Sequence, residues 1–323
     1  MVRAVNDRRP DTATQARQPR QPRQLHSHDS YAVTTVATAT TVTTAVHQLR
    51  HTPKDLFMLS TQYVPGAPNW LDLGVPDVDE AVAFYSEVFG WTFESLGPDA
   101  GGYGFFRLDG RTVAAIGPLV EEGARPAWTL YFHTADADGT AKAVAAAGGT
   151  VRAEPMDVFT AGRLAAFTDP AGARFAVWQP GEVKGLEAVM EANALCWTEL
   201  YTTDAATAKD FYSSVFSWQY QDLPMGEAGA YTIVVPAGVA ASPAFGQGGM
   251  MQLPQEHLDR GSTSEWHPYF GVDDCDATAA AATERGATAL IAPVDAEGVG
   301  RLAMFRDPYG AVFAVIKGEP PTS

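Results

Sequence analysis

Two short segments place a carboxylate two residues after a tryptophan: Asn69-Trp70-Leu71-Asp72 and Cys196-Trp197-Thr198-Glu199. In an extended strand side chains alternate, so Trp70 and Asp72 share one face, and Trp197, Glu199 and Tyr201 share another. The same alternation groups Thr129 with Tyr131, and His267 with Tyr269. Aromatic rings beside a lone acid suit a planar ligand bearing an amine, because a ring face attracts a cation by about 0.5–2 kcal/mol. A partly buried carboxyl could instead have a raised pKa and serve as general acid or base. Structural roles compete at every position. The rings could fill a core with their polar tips hydrogen-bonded, and Asp72 and Glu199 could pair with arginine or backbone amides. His267 could be a satisfied structural histidine; no catalytic residue is assigned, and Glu199 and His267 are named as candidates.

Other reactive residues offer less. Of seven histidines, four (His26, His28, His47, His51) lie in the first 60 residues. His257 falls in a loop-like stretch, and His133 stands at a strand end, where exposure is expected. Arg163 and Arg301 follow glycine in equivalent strands and read as surface or ion-pairing residues, although an anionic ligand could use them. Cys196 and Cys275 make neither a disulfide framework nor a cysteine-rich zinc site, which fits a reducing cytoplasm. The pairs Gly101-Gly102 and Gly248-Gly249 match no phosphate cradle. No serine-nucleophile motif is present, and Met250-Met251 reads as hydrophobic filling.

The elements that must position these residues come as an internal repeat. NWLDLGVPDVDEAVAFYSEVFGW (69–91) pairs with CWTELYTTDAATAKDFYSSVFSW (196–218) at an offset of 127. WTLYFHTADAD (128–138) pairs with WHPYFGVDDCD (266–276), and GRLAAFTDPAGARFAVW (162–178) with GRLAMFRDPYGAVFAVI (300–316), both at 138. The difference falls in the Gly/Pro/Ala-rich stretch 236–249, as a surface-loop insertion would. Self-similarity of this length marks a duplicated domain.

Each copy reads as strand, helix and strands, twice over. Residues 70–75 alternate as a strand, with Leu71, Leu73 and Val75 packed under the following helix. Asp77 caps that helix, Glu80 completes a capping-box-like signal, and Gly90 ends it. Val78, Ala81, Val82, Tyr85, Val88 and Phe89 form its buried stripe. Strands near 104–108 and 112–116 join at Asp109-Gly110, a hairpin turn signal. Strand 128–133 leads to helix 138–147, stopped by Gly148-Gly149. Strands near 150–153, 163–167 and 174–178 follow, with a turn at Asp169-Pro170-Ala171-Gly172. Ser217 stands where the first copy has Gly90.

The chain of 323 residues is long enough for two domains after a tail. Residues 1–60 carry eight Lys/Arg and four Asp/Glu, a net of +4; the overall −16 therefore leaves −20 on the rest. That acidic surface repels phosphate backbones and argues against nucleic acid as a partner. The tail is basic, Pro-interrupted and then Thr/Val/Ala-rich, and is expected to be disordered. It lacks the pattern of a secretory signal and only weakly resembles a transit peptide. Translation starting at Met58 is an alternative. No run of about 18 apolar residues occurs, so no membrane span is expected. The expected boundaries are 1–60 for the tail, 64–182 for the first domain and 190–318 for the second.

The pattern D…FY…FGW, then W…YF…D…GG, then GR…F.DP.GA.F resembles the vicinal oxygen chelate superfamily, the group of glyoxalases, bleomycin-resistance proteins and extradiol dioxygenases. It is most similar to a tandem-domain actinobacterial branch labelled hydroxylase or glyoxalase-like. The resemblance covers residues 64–318 and implies an α+β fold: two tandem domains, each of two βαβββ modules forming a half-barrel cup. It also implies a cytoplasmic monomer acting as its own pseudo-dimer, or a homodimer.

Members with metal chemistry hold one divalent ion in the cup with His or Glu on the first and last strands of each module. Carried over, those positions fall on Trp70, Thr129 and Ala176 in the first domain and Trp197, His267 and Ala314 in the second. A fourth falls near Ala115 and Gly249. The usual tetrad is therefore missing, and no metal or other cofactor is expected. The leading expectation is a metal-free protein that binds a small aromatic or cationic secondary metabolite through Trp70, Asp72, Tyr131, Trp197, Glu199, His267 and Tyr269. By resemblance it would serve as an accessory or sequestering factor in antibiotic biosynthesis. The alternative is a metal-dependent hydroxylase, lyase or dioxygenase with a rearranged site at Glu199 and His267. Were module one to pair with module four, His267 would instead face Asp72. An antigenic or interaction surface is a third, non-enzymatic option.

Overall fold

The computed structural model describes residues 59–319 except 122, 226–228 and 239–245. The expected tail, with its alternative start at Met58, and part of the loop insertion lie outside the described residues.

In the first domain the order is β1 (Pro68–Val75), α1 (Val78–Phe89), β2 (Thr92–Ser95), β3 (Gly104–Leu108) and β4 (Arg111–Pro118). A second module follows with β5 (Ala127–His133), α2 (Ala137–Ala146), β6 (Thr150–Val158), β7 (Gly162–Thr168) and β8 (Arg174–Pro180). The second domain repeats this with β9 (Leu195–Thr202), α3 (Ala205–Phe216), β10 (Gln219–Pro224), β11 (Ala230–Val235) and β12 (Gly248–Gln252). Its last module has a short α4 (Gln255–Asp259), then β13 (Glu265–Gly271), α5 (Cys275–Glu284), β14 (Thr288–Ala296), β15 (Gly300–Arg306) and β16 (Val312–Gly318). Strand β2 is a difference from the residue pattern. It is a short, mostly exposed strand with no apolar alternation to mark it.

Each domain is one eight-stranded sheet, ordered β2-β3-β4-β1-β5-β8-β7-β6 and β10-β11-β12-β9-β13-β16-β15-β14. The two modules of a domain join side by side along an antiparallel seam, β1 with β5 and β9 with β13. This decides which modules pair. His267 lies opposite Glu199 on the β9–β13 ladder, so the arrangement that would set it against Asp72 is not the one formed.

Local chemistry explains the helix boundaries. Asp77 Oδ1 accepts from the Glu80 amide at 3.1 Å, and Gly90 closes α1 at φ 70°. Asp204 caps α3 in the same way, and Ser217 takes the left-handed conformation at φ 57°. Leu71, Leu73 and Val75 are fully buried under the helices, as alternation requires. Phe84 joins the buried stripe of α1, whereas Val78 and Val82 are only half-buried.

The two sheets meet through their helix-bearing faces. Phe132 stacks edge-on against Trp266 at 5.2 Å, and Trp128 against Phe270 at 5.6 Å. Tyr85 of α1 donates to Asp307 Oδ2 of the other domain at 2.8 Å and accepts from Trp128 Nε1 at 3.1 Å. Tyr212 repeats the arrangement with Asp169 at 3.1 Å and Trp266 at 2.9 Å. With these faces buried against each other, Trp70 and Asp72 of β1 and Trp197 and Glu199 of β9 lie on the opposite faces of the two sheets. Among the described residues no helix is long and apolar enough to cross a membrane.

Candidate functional site

In the first cup, β1 presents Trp70 and Asp72 on the concave face. Across the seam Trp70 faces Tyr131 and Asp72 faces Thr129, while on the parallel side Asp72 faces Ala115. Tyr131 donates to Asp72 Oδ2 at 2.8 Å, and Tyr103 donates to the same oxygen at 3.0 Å. Trp70 Nε1 in turn donates to the Tyr103 hydroxyl at 3.2 Å. Burial pushes the Asp72 carboxyl up to about 6, against the opposing pull of its two tyrosine donors. Burial also raises both tyrosines well above their ordinary value, so they stay protonated as donors. Phe105 meets Trp70 edge-on at 5.3 Å, and Trp178 stacks on Trp70 at 6.4 Å. Arg152 and Arg174 both pair with Glu121 of the β4–β5 loop, and the Arg152 charge also acts on the Tyr131 hydroxyl.

The second cup repeats the motif with a longer and more deeply buried acid. Trp197 faces Tyr269 across the seam and Glu199 faces His267. Trp197 Nε1 donates to the Tyr231 hydroxyl at 3.0 Å, and Tyr269 donates to Glu199 Oε2. Tyr231 and Tyr201 also hydrogen-bond the Glu199 carboxylate, and the Tyr201 and Tyr269 hydroxyls lie 3.3 Å apart. Glu199 is 5% exposed, and desolvation raises its pKa. His267 is 2% exposed; burial depresses its pKa to about 4, so the ring is neutral at pH 7. Met225, Met251, Met304, Ile233 and Leu290 pack with Trp197, Tyr231 and Tyr269 as one buried apolar cluster.

Trp70, Asp72 and Tyr131 thus come together in one cup, and Trp197, Glu199, His267 and Tyr269 in the other. Sequence reasoning missed Tyr103 and Tyr231, which complete both networks. The available signal was their matching place in the repeat, Tyr103 just before β3 and Tyr231 at the start of β11. His133 is half-buried and stacks with Tyr63 at 6.5 Å, rather than being exposed. His257 is buried in α4, not placed in a loop. Arg163 pairs with Asp138 and Asp157, and Arg301 with Asp276 and Asp295, on the outer surface. Burial raises the Cys196 and Cys275 thiols to about 12 and about 11, which favours the protonated thiol over the nucleophilic thiolate.

The donors do not fit a divalent ion. Trp70, Ala115, Thr129 and Ala176 occupy the strand positions in the first cup; Trp197, Gly249, His267 and Ala314 occupy them in the second. A Cβ added at Gly249 would lie 1.9 Å from the Tyr231 hydroxyl, so a tyrosine fills the space a ligand there would need. Among the described residues no group of three or more His, Cys, Asp or Glu side chains converges. Three donors are the usual protein minimum even where water completes the shell.

The family model described as Glyoxalase/Bleomycin resistance protein/Dioxygenase superfamily matches residues 67–177, and one described as Glyoxalase-like domain matches residues 197–316. The anthracycline biosynthesis protein DauV of Streptomyces sp. (strain C5) is 38% identical over 278 residues, covering 80% of this chain and 95% of that protein. The chain belongs to the glyoxalase/bleomycin-resistance/dioxygenase superfamily. A Mycobacterium tuberculosis (strain CDC 1551 / Oshkosh) relative that carries the name glyoxylase CFP32 is 37% identical over 265 residues, covering 80% and 98%. Among solved structures, the 2,3-dioxygenase LapB from Pseudomonas sp. KL28 superposes with a TM-score of 0.55 at 13% identity, covering 80% and 95%. The Mn(II)-bound glyoxalase from Novosphingobium aromaticivorans gives 0.54 at 17%, covering 80% and 85%. At these identities the likeness to the solved structures is one of fold.

Proposed function

We propose that this chain is a metal-free small-molecule-binding protein of the glyoxalase/bleomycin-resistance type, acting as an accessory or sequestering factor for an aromatic or cationic secondary metabolite. One observation carries the reading: Asp72, two residues beyond one of the family's ligand positions, is held by two tyrosine hydroxyls among aromatic rings rather than grouped with further metal donors. A flat ring would stack among Trp70, Phe105 and Tyr131, with a ligand amine facing Asp72. Such surroundings, mostly apolar with a few placed polar groups, are the usual form of a small-molecule site. The names of DauV and of DnrV from Streptomyces peucetius place those relatives in anthracycline biosynthesis, which supports the metabolite class. The setting is the cytoplasm, with the chain acting as its own pseudo-dimer or as a homodimer and with neither nucleic acid nor membrane as a partner.

The test combines metal analysis with binding. Protein purified without a metal-affinity tag is expected to carry far less than one metal ion per chain. A planar aromatic amine such as 2-naphthylmethylammonium should bind saturably, and Asp72→Asn should weaken it. Stoichiometric metal, lost on Glu199→Ala, would favour the second reading, a metal-dependent enzyme with a rearranged site. Its support is that Glu199 and His267 are direct neighbours on one ladder.

A further inference from the structure

We propose that the groove between β3 and the segment joining the two domains binds an uncharged, electron-rich aromatic ring, which stacks on the guanidinium of Arg107. This rests on the reading of the chain as a small-molecule-binding protein and is separate from the amine contact at Asp72. A groove of about 470 Å³ lies there, lined by Tyr63, Phe105 and Arg107 together with residues 182–187. That volume is within the usual range of ligand pockets. Phe105 also meets Trp70 edge-on, so the groove lies beside the first cup. The joining segment is a fixed wall. The amides of Leu186 and Glu187 donate to the Asn69 and Thr112 carbonyls at 2.9 and 2.8 Å, and Trp178 Nε1 donates to the Val183 carbonyl at 2.9 Å. The Tyr63 hydroxyl donates to the Leu186 carbonyl at 2.6 Å, and its ring lies so close to Gly185 that a Cβ there would come within 2.4 Å of it. A wall held in place beforehand needs little ordering when a ligand binds.

Arg107 selects the ligand. Its edge is engaged: Nε donates to Glu94 Oε2 at 2.7 Å, and Nη1 donates to Thr112 Oγ1 and, at 2.9 Å, to Glu187 Oε2. These bonds hold the guanidinium 5.2 Å over the Phe105 ring, with the side chain still 21% exposed. A guanidinium with its edge engaged has its face to offer, and that face stacks on aromatic rings, best on electron-rich ones. Charge disfavours ionised ligands. Arg107 and Lys184 stand with Glu182 and Glu187 around the groove, two of each sign, so neither a cation nor an anion gains a net attraction. A ligand ammonium laid on Arg107 would meet a like charge, and a carboxylate would approach a chain of net charge −16. The matching place in the second domain is built differently. Ile233 faces Gly249 there as Phe105 faces Ala115, and Val235, two residues on, is fully buried where the first domain has Arg107. The stacking shelf is therefore a feature of the first domain.

The experiment uses the full chain with ¹⁵N-labelled arginine and three probes of one skeleton at pH 7: 2-naphthol, 2-naphthylmethylammonium and 2-naphthoate. 2-Naphthol is expected to move the Arg107 Nε resonance upfield through its ring current, at concentrations at least tenfold lower than either ion needs. Arg107→Lys assigns that resonance. It keeps the charge but loses the flat face, and should weaken naphthol binding at least fivefold. Lys184→Trp, at an exposed side chain, should fill the groove and weaken naphthol binding at least tenfold. Naphthol binding that leaves the Arg107 resonance in place, or an ion that moves it as readily as naphthol does, would overturn the proposal and leave the reading of the chain as a binding protein intact. If no probe binds, that reading fails with it. The comparison of probes is made on the natural protein, so a variant that fails to fold does not remove the test.

Discussion

The hydroxyl of Tyr131 donates to Asp72 Oδ2 at 2.8 Å, and the same tyrosine–acid pair recurs as Tyr269 and Glu199 in the second cup. The acid sits where burial penalises its charge more than two hydroxyls relieve it. Asp72 therefore titrates at about 6 in the fold against 3.8 ordinarily. A carboxyl raised in this way contributes stability that is complete below about pH 4 and is lost as pH rises through 6, on the order of 3 kcal/mol in all. Asp72→Asn removes that term. Urea unfolding between pH 4 and 7.5 should show a flatter profile for the variant and greater stability than the natural protein at pH 7. Parallel profiles would refute the linkage.

Tyr131→Phe deletes the shorter of the two donors and leaves Tyr103 in place. The Asp72 midpoint should rise by roughly one pH unit, because a hydrogen bond to the charged form is lost. A ¹³C carboxyl titration reads this directly. Binding of an aromatic amine should then need a correspondingly higher pH. A midpoint that stayed put would mean that the Tyr131 bond does not hold the ionised form.

Tyr85 and Tyr212 tie each domain's helix to the other domain's Asp-Pro turn, through Asp307 and Asp169. Tyr85→Phe leaves a buried Asp307 oxygen short of a donor and Trp128 Nε1 short of an acceptor. The expected cost is about 1–3 kcal/mol, visible as an earlier but still single unfolding transition. Two separated transitions would show that the domains do not depend on this brace.

Much of this was legible from residues. Alternation in 70–75 places Trp70 and Asp72 together because a strand has period two, and the repeat transfers the assignment to Trp197 and Glu199. Asp77 as a cap and Ser217 in the place of Gly90 follow from backbone chemistry local to a few residues. Tyr103 escaped because its partner Asp72 is 31 positions away and its own segment is a loop. The Asp-Pro turns were recognisable as turns, yet nothing local told that Asp307 receives Tyr85 from 222 positions away. Strand order also lay beyond reach: alternation fixes which face a residue takes, not which strand lies beside it, so only the β9–β13 ladder decides that His267 meets Glu199.

His267 should give the opposite pH response to Asp72. Burial holds its pKa at about 4 against 6.5 ordinarily, so the unfolded chain takes up a proton that the fold refuses. The stability associated with this histidine is complete above pH 6.5 and is lost as pH falls towards 4, again on the order of 3 kcal/mol. His267→Asn should therefore lose stability less steeply on acidification than the natural protein. If both profiles fell together, His267 would be titrating normally in the fold.

The metal positions can be tested by restoring them. Trp197, Tyr269 and Ala314 lie in register across β9, β13 and β16, and His267 is two residues from Tyr269 on the same face. Trp197→His together with Ala314→Glu would add an imidazole and a carboxylate to the existing His267, reaching the three-donor minimum. The double variant should hold about one Zn²⁺ or Mn²⁺ per chain after dialysis, measured by elemental analysis, where the natural protein holds far less. Removing Trp197 also leaves the Tyr231 hydroxyl without its Nε1 donor, so folding of the double variant should be checked by circular dichroism before the metal is counted. A folded double variant that binds no ion would mean that these strand positions do not converge as the ladder registers indicate.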